Sequence, residues 1–159
     1  MNRMPLILGL FAATLAISAC SSMKSDEEAA AAPAVANAQS IVSAADWSKS
    51  QTIGVTLSSF AFTPSEFTFQ HGQPYKLHLV NNEDETHTFS SHTLFQAIAV
   101  QKVVQNGTEK PAVDKEGIVL GPNQQADLYF VPVNAGTYKI YCDEFMHAAM
   151  GMDGSVTIQ

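Results

Sequence analysis

Cysteine is scarce in this chain, two in 159 residues, which rules out a scaffold built on disulfides. Positive charge is scarce as well. Eight Lys and Arg stand against fifteen Asp and Glu, a formal net charge of −7, so there is no basic stripe for a phosphate backbone and nucleic acid is set aside as a partner. The first apolar run, Pro5 to Ile17, is shorter than the roughly 20 residues that cross a bilayer. What remains is a chain 46% apolar, long enough for one modest domain and too short for two. Seven Pro, nine Gly and nine Phe, scattered among Val, Thr and Tyr, predict many short strands separated by turns, not a helical bundle.

The leader sets the expected compartment. Arg3 precedes the apolar run, and the small residues Ser18 and Ala19 follow it, the layout of a secretory signal peptide. Ile17-Ser18-Ala19-Cys20 resembles the bacterial lipoprotein box, in which cleavage leaves the cysteine as a lipidated first residue. The alternative is a soluble exported protein whose cleavage site borders a cysteine. Ser21 in place of Asp favours the outer membrane by the sorting rule of such lipoproteins. The expected organisation is a signal peptide over 1–19, lipidated Cys20 with a tether over 20–49, and a folded domain over 50–159. Large apolar residues are few between Ser21 and Ser48, so the segment is expected to contribute nothing to a core.

Beyond residue 50, Ile53, Val55 and Leu57 alternate with Thr52, Gly54 and Thr56, the period of a strand with one buried face. Similar runs lie at 67–69, 75–80, 126–131, 137–141 and 155–158. Turn residues separate them, as in His71-Gly72-Gln73-Pro74, Gly121-Pro122-Asn123 and Asp153-Gly154. This spacing predicts a β-sandwich. Leu94, Phe95, Ile98, Ala99 and Val103 recur at helical spacing after Ser91, which predicts one short helix within Ser91 to Val104.

Chemistry concentrates near the C-terminus. Cys142, Met146, His147, Met150 and Met152 place a thiol, an imidazole and three thioethers within eleven residues. Thiolate and thioether suit Cu(I), imidazole suits both oxidation states, and two His with one Cys and a weak axial Met form an electron-transfer copper site. The second imidazole must come from elsewhere, and His87 is the best candidate. The competing reading of Cys142 is a small buried hydrophobe at a strand end. His71 and His92 fit solvated surface positions. His78 fits a structural role within a strand, on a face left ambiguous by its neighbours Lys76 and Val80.

Residues 50–159 resemble the cupredoxins, the type 1 blue copper family of plastocyanin, azurin, auracyanin and rusticyanin. The features that carry the resemblance are Asn81-Asn82 followed by His87-Thr88-Phe89, the run Pro132 to Tyr138, and Cys142, His147 and Met152 at Cys-x4-His-x4-Met spacing. It implies an all-β Greek-key sandwich of the cupredoxin type with one short helical insertion. It implies one copper (Cu+/Cu2+) held by His87, Cys142, His147 and axial Met152, with Met150 as the rival axial ligand. Where relatives often carry Pro-Gly before the last histidine, this chain has Phe145-Met146, and Asp143-Glu144 places two carboxylates next to the cysteine.

The expected function is one-electron transfer on the periplasmic side of the envelope, without catalytic machinery. Copper sequestration or delivery is the alternative, favoured by Met146 and Met150. A redox partner such as a c-type cytochrome or terminal oxidase, or a copper-handling protein, is expected, with membrane attachment through lipid and the protein itself a monomer. The resemblance implies that His147, surrounded by Phe145, Met146, Ala148, Ala149 and Met150, is the electron port. Glu83, Asp84, Glu85, Asp143 and Glu144 form its expected acidic rim.

Overall fold

The computed structural model describes residues 34–114 and 117–159. The leader, Cys20 and the first part of the expected tether lie outside the described residues. In chain order come α1 (Ala38–Ala44), a 3₁₀ turn (Trp47–Lys49), β1 (Gln51–Ser58), β2 (Ala61–Thr63), β3 (Glu66–Phe69), β4 (Tyr75–Asn81) and β5 (His87–Phe89). Then follow α2 (Leu94–Ala97), β6 (Ile98–Gln105), β7 (Thr108–Lys110), β8 (Ile118–Leu120), β9 (Gln125–Pro132), β10 (Gly136–Tyr141), a second 3₁₀ turn (Ala148–Met150) and β11 (Asp153–Ile158). The six alternating runs of the sequence became β1, β3, β4, β9, β10 and β11.

One layer is a six-stranded sheet in the order β2-β1-β4-β9-β6-β7, and the other contains β10-β11-β3. The ribbon β5-β8 joins the second layer, because Ser90 bridges Tyr141 and so sets β5 beside β10. Alternation sends one face of each strand into a shared core. Leu57, Leu79, Leu128 and Phe130 of the first layer share that core with Phe69, Tyr138, Ile140 and Val156 of the second. Phe69 meets Phe130 edge to face at 5.1 Å and Tyr75 at 4.7 Å across the layers, contacts worth about 0.5–1.5 kcal/mol each beyond their buried area.

Two expectations are corrected. The helix expected within Ser91 to Val104 is a single turn, α2, and residues 98–105 form β6. The cause is a bulge between Val100 and Lys102. Ile98, Val100 and Val103 pair with Pro132, Phe130 and Leu128 on the core side, whereas Ala99 and Lys102 pair with Val131 and Tyr129 on the other. The extra residue turns a spacing of two into three, which imitates a helix. The second correction concerns the tether. Val42 of α1 is buried with Ala99 and Val131 in a small cluster on the outer face of the six-stranded sheet, which Ile41, Trp47 and Val133 enlarge. Trp47 Nε1 donates to Val42 O at 2.9 Å and its ring meets Tyr129 edge on. Outward-facing Ala99 and Val131 would leave apolar surface in water, and α1 covers it. The helix sits at the end of the sheet where Ile98 pairs with Pro132.

Candidate metal centre

The opposite end of the sandwich holds the site. β4 ends at Asn81, whose buried side chain organises the loop that follows. Its Nδ2 donates to Glu85 O at 2.7 Å, Gly121 O at 3.0 Å and Leu120 O at 3.1 Å, and its Oδ1 accepts from Glu83 N at 3.0 Å. With the loop fixed to β8, the chain re-enters a strand at His87, opposite Leu120.

Cys142 follows the last residue of β10. Ser90 and Tyr141 exchange two backbone hydrogen bonds at 3.0 Å, which sets the end of β5 next to Cys142. The loop beyond closes on itself: His147 N donates to Glu144 O at 3.1 Å, Met152 N to His147 O at 3.0 Å and Cys142 N to Met152 O at 3.0 Å. Thus Met152 is tied to both Cys142 and His147. The loop's return is fixed at Gly154, where a Cβ would lie 2.1 Å from Ser65 O, a distance only glycine permits.

Among the described residues, His87, Cys142 and His147 each offer a ligand atom, and these atoms lie within 4.8 Å of one another. His87 and Cys142 are buried, and His147 is half-buried. The Cys142 sulfur accepts from Thr88 N at 3.3 Å and Thr88 Oγ1 at 3.7 Å, and lies 3.4 Å from His147 Nδ1. Asp143 N in turn donates to Thr88 Oγ1. Donors of this kind take up part of a thiolate's charge and set its orientation. The two imidazole rings stand 5.1 Å apart, and Phe60 packs edge on against His147 at 5.0 Å.

Burial separates the two thioethers expected to compete. Met152 is 0% exposed and Met150 59% exposed, so Met152 is the one enclosed with the cluster's protein shell. Met146 has a φ of 67°, the left-handed region that glycine enters without strain, at the position where relatives often have glycine. His71 and His92 are exposed, as expected. His78 lies 2.6 Å from Asp127 Oδ1 across β4 and β9, well away from the cluster in the sheet register.

One member of the expected acidic rim is something else. Glu83 Oε2 accepts from Ser59 N at 2.9 Å and Ser59 Oγ at 2.6 Å, and meets His87 Nε2 at 3.1 Å. The Ser59 hydroxyl foremost, then His87, holds its carboxyl below the ordinary carboxylate range. Asp84, Glu85 and Asp143 are exposed and Glu144 is half-buried, which leaves these four for the rim. Sequence reasoning also missed Thr88, Ser59 and Phe60 around the ligands; Thr88 alone carried a signal, as the neighbour of His87.

The residues present fit copper. The clearest sign is His87 Nδ1, buried and without a hydrogen-bond partner among the described residues, a position that would cost about 1–3 kcal/mol if nothing were to occupy its lone pair. A free thiol on Cys142, two imidazoles and a buried thioether supply the soft and borderline donors this metal takes. They would hold one copper per chain.

Comparison with known proteins agrees with this architecture. A search among curated proteins finds no match to the sequence. Among solved structures, the McoA multicopper oxidase of the hyperthermophile Aquifex aeolicus is similar at 12% identity and a TM-score of 0.55, over 72% of this chain and 30% of the oxidase. Auracyanin from Roseiflexus castenholzii is 22% identical over 69% of this chain and 98% of its own, with a TM-score of 0.48. Auracyanin A from Chloroflexus aurantiacus is 20% identical over 68% and 98%, with a TM-score of 0.46. The family model described as a cupredoxin-like domain matches residues 10–158, a span that contains every strand of the sandwich and all the candidate ligands, and the chain belongs to that family.

Proposed function

We propose that this protein is an exported, lipid-anchored carrier of single electrons that works through one copper held by His87, Cys142, His147 and Met152. The observation that carries the reading is the convergence of ligand atoms of His87, Cys142 and His147 within 4.8 Å of one another, with His87 Nδ1 buried and without a hydrogen-bond partner among the described residues. Bound copper supplies the Cu(II)/Cu(I) couple. The protein's part is to keep the ligands still and water out. Backbone hydrogen bonds tie Cys142, His147 and Met152 into one closed loop, and two donors from Thr88 fix the sulfur. Little has to move when charge changes, which is what rapid electron exchange requires.

His147 is the ligand nearest to solvent, and Phe145, Met146, Met150 and Phe60 are exposed about it. A small apolar face rimmed by Asp84, Glu85, Asp143 and Glu144 suits a brief encounter with a basic redox protein, such as a positively charged c-type cytochrome or the docking domain of a terminal oxidase. In stopped-flow mixing of the reduced copper protein with a basic cytochrome, electron transfer is expected to slow as salt rises, because screening acts beyond a Debye length of about 8–10 Å. Asn and Gln at those four positions together should flatten the dependence. Failure to pass electrons, with Cu(I) instead surrendered to a competing chelator, would transfer the protein to the copper-handling reading. The exposed thioethers of Met146 and Met150 favour that second reading.

The leader residues 1–19 and Cys20 support attachment to the envelope membrane facing the periplasm, with Ser21 favouring the outer membrane. Two or more acyl chains on Cys20 give stable anchoring, at about 0.8 kcal/mol per buried CH₂. Cys20→Ala is expected to shift the protein from the membrane to the soluble fraction. Continued membrane association, with no lipid on the native N-terminal peptide, would overturn this assignment.

A further inference from the structure

The two imidazoles of the centre differ on the side turned away from the sulfur. A carboxylate only accepts, so the 3.1 Å contact of Glu83 Oε2 with His87 Nε2 places the proton on Nε2 and leaves the lone pair on Nδ1. That is the nitrogen buried without a hydrogen-bond partner among the described residues. Glu83 is itself fixed at both ends. Ser59 N and Ser59 Oγ hold its Oε2. Its backbone N donates to Asn81 Oδ1 at 3.0 Å, and its carbonyl accepts from Asn123 N at 3.1 Å. Among the described residues, His147 has no equivalent partner on Nε2. Its Nε2 is 4.0 Å from Glu85 Oε2, beyond hydrogen-bond range, and the Glu85 side chain is 65% exposed.

We propose that Glu83, braced by Ser59, is the positioning residue of this copper centre: it holds His87 in the tautomer with Nδ1 bare and lends the ring negative charge that favours Cu(II) over Cu(I). The proposal rests on the copper-carrier reading and adds what sets the potential. A carboxylate behind a ligating imidazole fixes its orientation and raises its basicity, and its removal costs about 10–100-fold in metal affinity. Positive charge on the metal is larger in Cu(II), so the loss falls chiefly on that state. The turn after β1 therefore touches both imidazoles, Ser59 through Glu83 and Phe60 directly.

Glu83→Gln preserves shape and an acceptor oxygen while removing the charge. In voltammetry of the copper-loaded protein, it is expected to raise the potential by about 60–120 mV, the 10–100-fold change expressed at 59 mV per tenfold for one electron, with the visible spectrum retained. Glu83→Ala should raise it and also alter the spectrum, because the ring loses its brace. Glu85→Gln is the control for a nearby charge that accepts from Ser59 Oγ at 3.4 Å but makes no hydrogen bond to a ligand imidazole, and it should shift the potential far less. An unchanged potential in Glu83→Gln, or equal shifts from Glu83→Gln and Glu85→Gln, would overturn the proposal. Nitrogen-15 NMR of the metal-free wild-type protein gives a second reading, in which His87 should carry its proton on Nε2; a proton on Nδ1 would also overturn it. A wild-type protein without a reversible copper wave would instead sink the carrier reading, and the metal-free tautomer would still judge Glu83.

Discussion

Cys142→Ser is expected to erase the intense thiolate-to-Cu(II) absorption of the copper-loaded protein and most of its affinity for the metal. A serine hydroxyl is hard and stays protonated near neutrality, so copper would face two imidazoles and a weak thioether without the strong anionic donor. The fold itself should persist. Thr88 N and Thr88 Oγ1, which donate to the sulfur, can donate to a serine oxygen instead, so the metal-free variant should lie within about 1 kcal/mol of wild type. Copper binding gives the cleaner contrast. A metal present at a thousand times its dissociation constant stabilises the native state by about 4 kcal/mol, and the variant should lose nearly all of the corresponding rise in Tm. A visible band that survives the substitution would show that the sulfur ligand lies elsewhere.

Replacing the buried thioether should separate holding the metal from tuning it. Met152→Leu swaps side chains of similar volume, a change that cores tolerate at under about 1.5 kcal/mol. The backbone bonds of Met152 to Cys142 and His147 do not involve its side chain, so the loop should keep its shape. Copper should stay bound to the three stronger ligands. Loss of an axial donor disfavours Cu(II), and the potential should rise on the order of 60 mV, the equivalent of a tenfold change in the ratio of the two affinities. Met150→Leu, on an exposed side chain, should leave both potential and spectrum close to wild type. The reverse pattern in a paired measurement would hand the axial role to Met150.

The parts of this protein that a sequence displays are those governed by local periodicity and ligand chemistry. Ile53, Val55 and Leu57 alternate with polar and small residues because β1 has one face in the core, and Cys142, His147 and Met152 are spaced by a single loop. β6 was hidden because one inserted residue changed the parity of its apolar face. α1 was hidden because its justification lies in other strands: Ala99 and Val131 need cover, and Val42 supplies it from a stretch that looks polar and poor in large side chains. The support of the centre was hidden for a related reason. Ser59 reaches Glu83 across 24 residues and Thr88 reaches Cys142 across 54, and no short window contains either pair. Glu83 read as a loop charge like its neighbours because only the folded register places Ser59 and His87 on either side of it.

The position of α1 has a consequence for how far the copper end can travel. The N-terminal segment joins the body beside Ala99 and Val131, whereas the ligand loops leave the opposite ends of the strands. From Gln125 to Val131 alone, β9 takes six steps, about 20 Å at roughly 3.4 Å each. Under the proposed attachment through Cys20, the copper end would therefore stand at the end of the body remote from the point where the described chain enters it. Packing of Val35, Ile41, Val42 and Trp47 against the body also takes this stretch out of the proposed tether, so under that proposal the reach would be shorter than residues 20–49 would give.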